Sequence, residues 1–173
     1  MPNGNVYFKE PFSGQQNSTT NNLAFRHYFQ GSIKTHNIYL GNVITSTSSG
    51  QREALIAVPI YSVKGGSTLI GIWAGGIDFN VLNKELQSLN FPAGERAVYV
   101  DHNGQKLADS NVNSSNKLES FANLQSFKNG KSGSDIEGVI NSTTISKMLV
   151  NYHPVKAFQN TWVVLLMQSL DLL

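Results

Sequence analysis

Within Asn22 to Ile33 the sequence sets one arginine, Arg26, among three aromatic residues, Phe25, Tyr28 and Phe29, in a chain that otherwise carries little charge. A guanidinium can give two parallel hydrogen bonds to a carboxylate, a geometry lysine does not copy, and neighbouring rings can wall such a ligand from water. Asp78 stands where an apolar strand pattern gives way to a helical one, and it can accept from an amine or hydroxyl. Tyr39, Tyr61 and Trp73 are further candidates for lining a pocket, because an aromatic ring with a polar end serves both packing and recognition. These types and spacings point to binding of a small polar ligand. They also admit a purely structural account, in which Arg26 and Asp78 pair with each other or cap backbone while the rings are core. Strand alternation puts Trp73 and Asp78 on opposite faces unless the glycines between them introduce a bulge.

Other chemistries lack their residues. His27, His36, His102 and His153 have no metal-ligand spacing, no cysteine joins them, and they read as surface or turn residues, so no metal or cofactor is expected. The absence of cysteine removes disulfides and thiolate nucleophiles. Gly65-Gly66, Gly71 and Gly75-Gly76 are followed by no Gly-Lys-Ser/Thr, and they fit a strand hairpin better than a phosphate loop. No Gly-x-Ser-x-Gly supports a hydrolase.

The elements that must position the candidate residues follow from pattern. At 173 residues and 40% apolar the chain can bury a core, as one domain or as two modules of roughly 85 residues each. Charged residues are only 14%, against about 25% in an average soluble domain, so the surface is uncharged-polar. A net charge of +2 without any basic run argues against nucleic acid. No window reaches the ~20 apolar residues of a membrane span, and the start lacks a signal-peptide core. Asn17, Asn113 and Asn141 head Asn-x-Ser/Thr triplets, compatible with a secreted surface.

Asn3-Gly4 beside Val6-Tyr7-Phe8 reads as a hairpin, and Glu10 to Asn22 as a loop. Phe25 to Ser32 reads as a helical turn, and Asn37 to Thr47 as extended. Ala54–Tyr61 and Thr68–Ile77 read as an antiparallel pair, with Pro59 marking an edge or bulge. Phe79, Leu82, Leu86 and Leu89 recur at helical spacing, and Phe91-Pro92-Ala93-Gly94 ends that helix. Beyond this boundary Ala97–Val100 and Gln105–Ala108 make a second hairpin. Leu118, Phe121, Ala122, Leu124 and Phe127 suggest a short helix closed by Asn129-Gly130. Strands follow at Ser134–Ile140, Ile145–Tyr152 and Thr161–Met167. The pattern predicts fold class α+β, two modules spanning 1–92 and 93–173, each a mainly antiparallel sheet with short flanking helices.

Three blocks together resemble the double-Cache family of extracytoplasmic sensor domains, built from two PAS-like modules. They are Phe25-Arg26-His27-Tyr28-Phe29, the hairpin Ala57–Tyr61 to Gly71–Phe79, and Val98-Tyr99-Val100-Asp101-His102-Asn103-Gly104. The resemblance covers about residues 4 to 169. It implies a non-enzymatic receptor ectodomain with a histidine kinase or chemotaxis output, a ligand in a membrane-distal first module, and a possible homodimer through the receptor. Met167 to Leu173 then leads to the exit span, and membrane contact comes only through spans absent from the sequence.

The amino-acid-sensing branch of that family uses an Arg, an aromatic pair close after it, a later Tyr and Asp, and an Asp at the end of the hairpin strand. Arg26, Tyr28, Phe29 and Asp78 match, whereas the middle pair falls on Ile44 and Ser46. A carboxylate, amino acid, amine or related metabolite all remain open as ligand. The family also has a long helix before its first strand, and the sequence begins after it, which leaves an apolar strip uncovered or filled by a second copy. The alternatives are a structural or dimerising ectodomain, its pocket filled by Phe29, Ile44 and Trp73, and an intracellular PAS-like module.

Overall fold

The computed structural model describes residues 2–10, 21–46, 50, 52–63, 68–114, 117–129, 131–141 and 144–172. Asn17, the turn Lys64-Gly65-Gly66-Ser67, Thr47 and Gly130 lie outside them. The architecture is α+β, with antiparallel sheets and short helices, and the chain divides into two compact units, Met1–Asp78 and Phe79–Leu173.

In the first unit, helix α1 (His27–Thr35) precedes strands β1 (Tyr39–Leu40), β2 (Ile44–Thr45), β3 (Arg52–Tyr61) and β4 (Leu69–Asp78). Tyr28, Gly31 and Ser32 are buried, the i, i+3, i+4 spacing of one helix face. The helix ends at His36, which takes a left-handed conformation with φ 53°. Strand β3 is central: β4 runs along one side of it, and β1 and β2 pair in turn along the other. The expected continuous stretch from Asn37 is thus broken between Leu40 and Ile44. Pro59 pairs only with Ile72, beyond the end of β1 and one residue before a register shift at Ile60/Tyr61, so its missing N–H costs no ladder bond on the β1 side.

The hairpin expected at Asn3-Gly4 does not form. Asn5 instead bridges Asn22, with Val6 N–H bonded to Asn21 O and Leu23 N–H to Gly4 O, each at 2.8 Å. Gly4, at φ +83°, lies against Ala24, where a side chain would collide with backbone. The local Asn-Gly signal yields here to a pairing with residues almost twenty positions away.

The second unit begins with α2 (Phe79–Ser88), followed by β5 (Glu95–Val100), β6 (Lys106–Asp109), α3 (Gln125–Asn129), β7 (Gly133–Asn141), β8 (Thr144–Ala157) and β9 (Asn160–Ser169). Its sheet has the order β6-β5-β9-β8-β7, antiparallel throughout. Phe79, Asn83 and Leu86 form the buried face of α2, which packs on Ala97 and Ala108. Leu89, expected on that face, lies past the helix end and is exposed. Helix α3 is shorter than the apolar spacing suggested. Leu118 to Leu124 is not helical, because Lys106 N–H bonds Glu119 O and Phe121 N–H bonds Gly104 O, tying the segment alongside β6. The opposite sheet face carries the main core, Val98, Val100, Val150, Val163, Leu165 and Met167, closed by Phe121.

Candidate functional site

Directly opposite residues of antiparallel neighbours share a face. Tyr39 opposes Ala57, Ile44 opposes Glu53, and Glu53 opposes Asp78, so these side chains emerge on one face of the first sheet, together with Ala74 and Gly76 of β4. Helix α1 lies on this face. The Tyr39 hydroxyl meets His27 Nε2 at 3.2 Å with the two rings edge-on, and the Tyr61 hydroxyl donates to His36 O at 3.1 Å. Both tyrosines therefore fasten α1 to the sheet, one at each end of the helix. Gly31 makes this possible, since a Cβ there would fall 2.3 Å from the Tyr39 ring.

Arg26 sits at the N-terminal boundary of α1 with extended backbone, φ −71° and ψ 136°, and its side chain caps nothing. Its guanidinium lies 5.0 Å from the Phe25 ring centroid, within cation–π range. Among the described residues it makes no ion pair, and the pairing with Asp78 allowed by the sequence is not formed. Tyr28 is buried against Gly41, where an added Cβ would meet Tyr28 Cβ at 2.8 Å. Burial pushes its phenol above the ordinary range; the Arg26 charge acts to lower it and the Glu53 charge to raise it further. Arg26 and Glu53 therefore both lie in electrostatic reach of the same hydroxyl. Phe29 is half-buried on α1, and Asp78 is exposed at the end of β4.

Trp73 is not brought to this place. No register shift separates it from Asp78, so it projects from the opposite face, where it is 57% exposed and lies along the strand over Gly75. It does not fill a pocket with Phe29 and Ile44. Glu53 is the residue that sequence reasoning missed; standing just before the apolar run Ala54–Tyr61, it becomes a site candidate only through its register with Ile44 and Asp78.

In the second unit Lys106 and Asp109 are fully buried and form a charge network with Arg96 and Glu119. Lys106 Nζ donates to Asp109 Oδ2 at 3.0 Å and also to Ser114 O, while Arg96 Nε donates to Asp109 Oδ1 at 3.1 Å. Burial opposes ionisation of Asp109, yet the Arg96 bond and charge, the Asn111 amide and Lys106 outweigh it and hold the carboxyl below its ordinary range. Beside this network Glu119, Phe121, Asn123, Leu124, Glu137 and Val139 line an open cavity of about 450 Å³. Glu137 is occupied structurally, accepting from the Gln125 and Ser126 amides at the start of α3. Among the described residues no His, Cys, Asp and Glu grouping could hold a metal ion.

Solved structures resemble the chain along most of its length. The periplasmic sensory domain of the Campylobacter jejuni chemoreceptor Tlp1 aligns with a TM-score of 0.65 at 19% identity, over 86% of this chain and 56% of that one. The ligand-binding domain of the Pseudomonas aeruginosa amino acid chemoreceptor PctB, in complex with L-Gln, gives 0.65 at 17%, over 88% and 60%. Over the aligned residues the chain shares the fold of these domains. The corresponding domain of Pseudomonas fluorescens CtaA, in complex with L-isoleucine, aligns over 96% of this chain and 62% of that one, with a TM-score of 0.58 at 18% identity. The chain spans less than two thirds of each of these sensory domains. No protein-family model matches it, and no curated protein does.

Proposed function

We propose that this chain is the extracytoplasmic small-molecule sensing part of a membrane receptor of the chemotaxis-transducer or histidine-kinase type, built of two PAS-like modules with the ligand in the first, membrane-distal one. The observation that carries the proposal is Arg26: a half-buried guanidinium set over Phe25 and next to the buried Tyr28 in the chain, without an ion pair among the described residues. A partly buried cation without a charged partner contributes little to a structural role and is available for recognition. Arg26 binds the anionic end of the ligand, and Tyr28, Phe29, Tyr39, Tyr61 and Asp78 wall or orient it. The sensory-domain neighbours, two of them solved with amino acids bound, support this assignment. No helix of the described residues is long and apolar enough to cross a membrane, and the spans belong to other segments of the receptor. Ligand binding signals only if it favours one of two states, so closure of α1 toward β4 is the expected response.

A thermal-shift screen against amino acids, small carboxylates and amines, with Arg26→Ala beside the wild type, tests this. A ligand at one hundred times its dissociation constant adds about 2.7 kcal/mol, a rise of several degrees. The expected result is a shift that Arg26→Ala abolishes; no response to any compound overturns the proposal in favour of a structural or dimerising ectodomain. The cavity in the second unit favours a second reading, with the ligand between Phe121 and Glu119. A shift kept in Arg26→Ala and lost in Asn123→Trp would move the site there.

A further inference from the structure

The two units share one backbone arrangement ahead of their first sheet-covering helix. Gly4 at φ +83° lies against Ala24, and Gly104 at φ +79° lies against Ala122. Leu23 N–H bonds Gly4 O as Phe121 N–H bonds Gly104 O, and Val6 N–H bonds Asn21 O as Lys106 N–H bonds Glu119 O. The match continues into the helices. Arg26 N–H bonds Leu23 O and Gln30 N–H bonds Arg26 O; in the same way Leu124 N–H bonds Phe121 O and Lys128 N–H bonds Leu124 O. Leu124 therefore stands at the entry of α3 where Arg26 stands at the entry of α1, and Ser126 takes the place of Tyr28. The position that carries a guanidinium in the first unit is apolar in the second.

Leu124 lines the cavity of about 450 Å³, a size suited to a small molecule. Phe121 and Val139, both buried, add apolar wall, and Leu118, 74% exposed, adds an apolar rim. The charged lining is Glu119, Glu137 and the exposed Lys117. Glu119 is already neutralised, since Arg96 and Lys106 balance Asp109 and Glu119 within their network. Glu137 is not. It is half-buried and makes no ion pair among the described residues; its two oxygens accept the amides of Gln125 at 2.5 Å and Ser126 at 2.7 Å. An ionised carboxylate offers about four lone-pair sites, so each oxygen can take a further donor. The Ser126 hydroxyl, on the residue that Glu137 holds, is buried without a hydrogen-bond partner among the described residues, a costly condition for a purely structural corner.

We propose that this cavity is a ligand site in its own right, taking an organic cation with an apolar body, such as an arylalkyl amine. The ammonium group donates to Glu137, and the carbon skeleton lies against Phe121, Leu124 and Val139. An anion meets two carboxylates there and finds leucine where the first unit has arginine. A neutral molecule of the same shape gains the apolar contacts and leaves the charge of Glu137 unmatched. The inference does not rest on Arg26 or on the ligand of the first unit.

Titration calorimetry on the whole chain tests it with three probes of similar shape, phenethylamine, phenethyl alcohol and hydrocinnamate. The amine is expected to bind about 10- to 100-fold more tightly than either of the others, the worth of one charge-assisted contact. Asn123→Trp, at an exposed position on the cavity, is expected to abolish amine binding, and Arg26→Ala to leave it unchanged. Glu137→Gln is expected to bring the amine down to the level of the alcohol. Because Glu137 also holds the start of α3, a circular dichroism melt accompanies that variant, and Leu118→Lys at the exposed rim is measured beside it; the added positive charge is expected to weaken the amine alone. No amine binding, equal binding of amine and alcohol, or tighter binding of hydrocinnamate overturns the inference. Amine binding that is indifferent to both Glu137→Gln and Leu118→Lys, that survives Asn123→Trp, or that is lost in Arg26→Ala overturns it as well, since the ammonium group then lies elsewhere. The reading of the first unit is judged separately, by the response to amino acids and carboxylates and its dependence on Arg26.

Discussion

Removing the charge of Asp109 is expected to unfold much of the second unit. Its carboxylate has no solvent exposure, receives hydrogen bonds from Arg96, Lys106 and the Asn111 amide, and faces a lysine that is itself fully buried. In Asp109→Asn the shape is nearly kept, but the carboxylate that both cations share is lost, and Lys106 Nζ stands 3.6 Å from the remaining one, Glu119. Breaking one partner out of a buried ion pair costs about 3–5 kcal/mol, a large part of the ~5–15 kcal/mol that holds a domain together. For a unit of fewer than about 100 residues, this corresponds to a fall of roughly 15–30 °C in melting midpoint. Circular dichroism melts of wild type and variant at neutral pH measure it. A matched variant, Lys106→Met with Asp109→Leu, removes both charges and is expected to recover most of the loss, since a buried pair replaced by apolar groups is often neutral. If Asp109→Asn melts within about 4 °C of the wild type, the network is not the strut described here. The pH dependence has a definite sign. The folded carboxyl titrates below its unfolded value of 3.8, so its contribution is complete above that value and is lost as pH falls through the folded one. The acid limb of wild-type stability should flatten in the double variant.

Three further outcomes are expected. Gly104→Ala places a side chain at φ +79°, with the Ala122 backbone 2.6 Å from the new Cβ, and should cost about 2–4 kcal/mol in a urea melt. Asn83→Ala orphans the buried Asp109 N–H that Asn83 Oδ1 accepts at 2.8 Å, for about 1–3 kcal/mol by the same measurement. Tyr28 has its phenol raised by burial, so its contribution is whole below pH 10.0 and is lost as pH rises through the folded value; Tyr28→Phe should show a shallower loss of melting midpoint above pH 10.0 than the wild type.

Periodicity made most of the fold legible. The apolar runs Ala54–Tyr61 and Thr68–Ile77, separated by a Gly-rich turn, mark the central hairpin of the first unit, and the 3.6-residue recurrence of Phe79, Leu82 and Leu86 marks α2, because burial is written in residue types. Long-range pairing left no such trace. The bridge from Asn5 to Asn22, and the tie of Glu119 to Lys106 that keeps Leu118 to Leu124 from becoming helical, are set by which chain segment lies alongside. The candidate site divides in the same way. Arg26 and its rings stand out as a cluster along the chain. The row Ile44, Glu53, Asp78 exists only in register, where residues nine and twenty-five positions apart become neighbours. Trp73 shows the converse: an aromatic ring with a polar end suggested a lining role, and with no bulge between it and Asp78 the alternation along β4 sends it to the other face.

The two units use charge in opposite ways, and the contrast bears on function. In the second unit, Arg96, Lys106, Asp109 and Glu119 are brought together and neutralised within the fold, which fixes β5, β6 and the segment before Phe121 in one arrangement. In the first, Arg26 and Glu53 make no ion pair among the described residues, and Glu53 lies opposite Asp78 across β3 and β4. The first arrangement is complete as it stands and gains nothing from a ligand. The second leaves Arg26 without an ion pair among the described residues, so an anionic ligand would supply an interaction that the protein does not make alone. That differential is what can shift a two-state equilibrium.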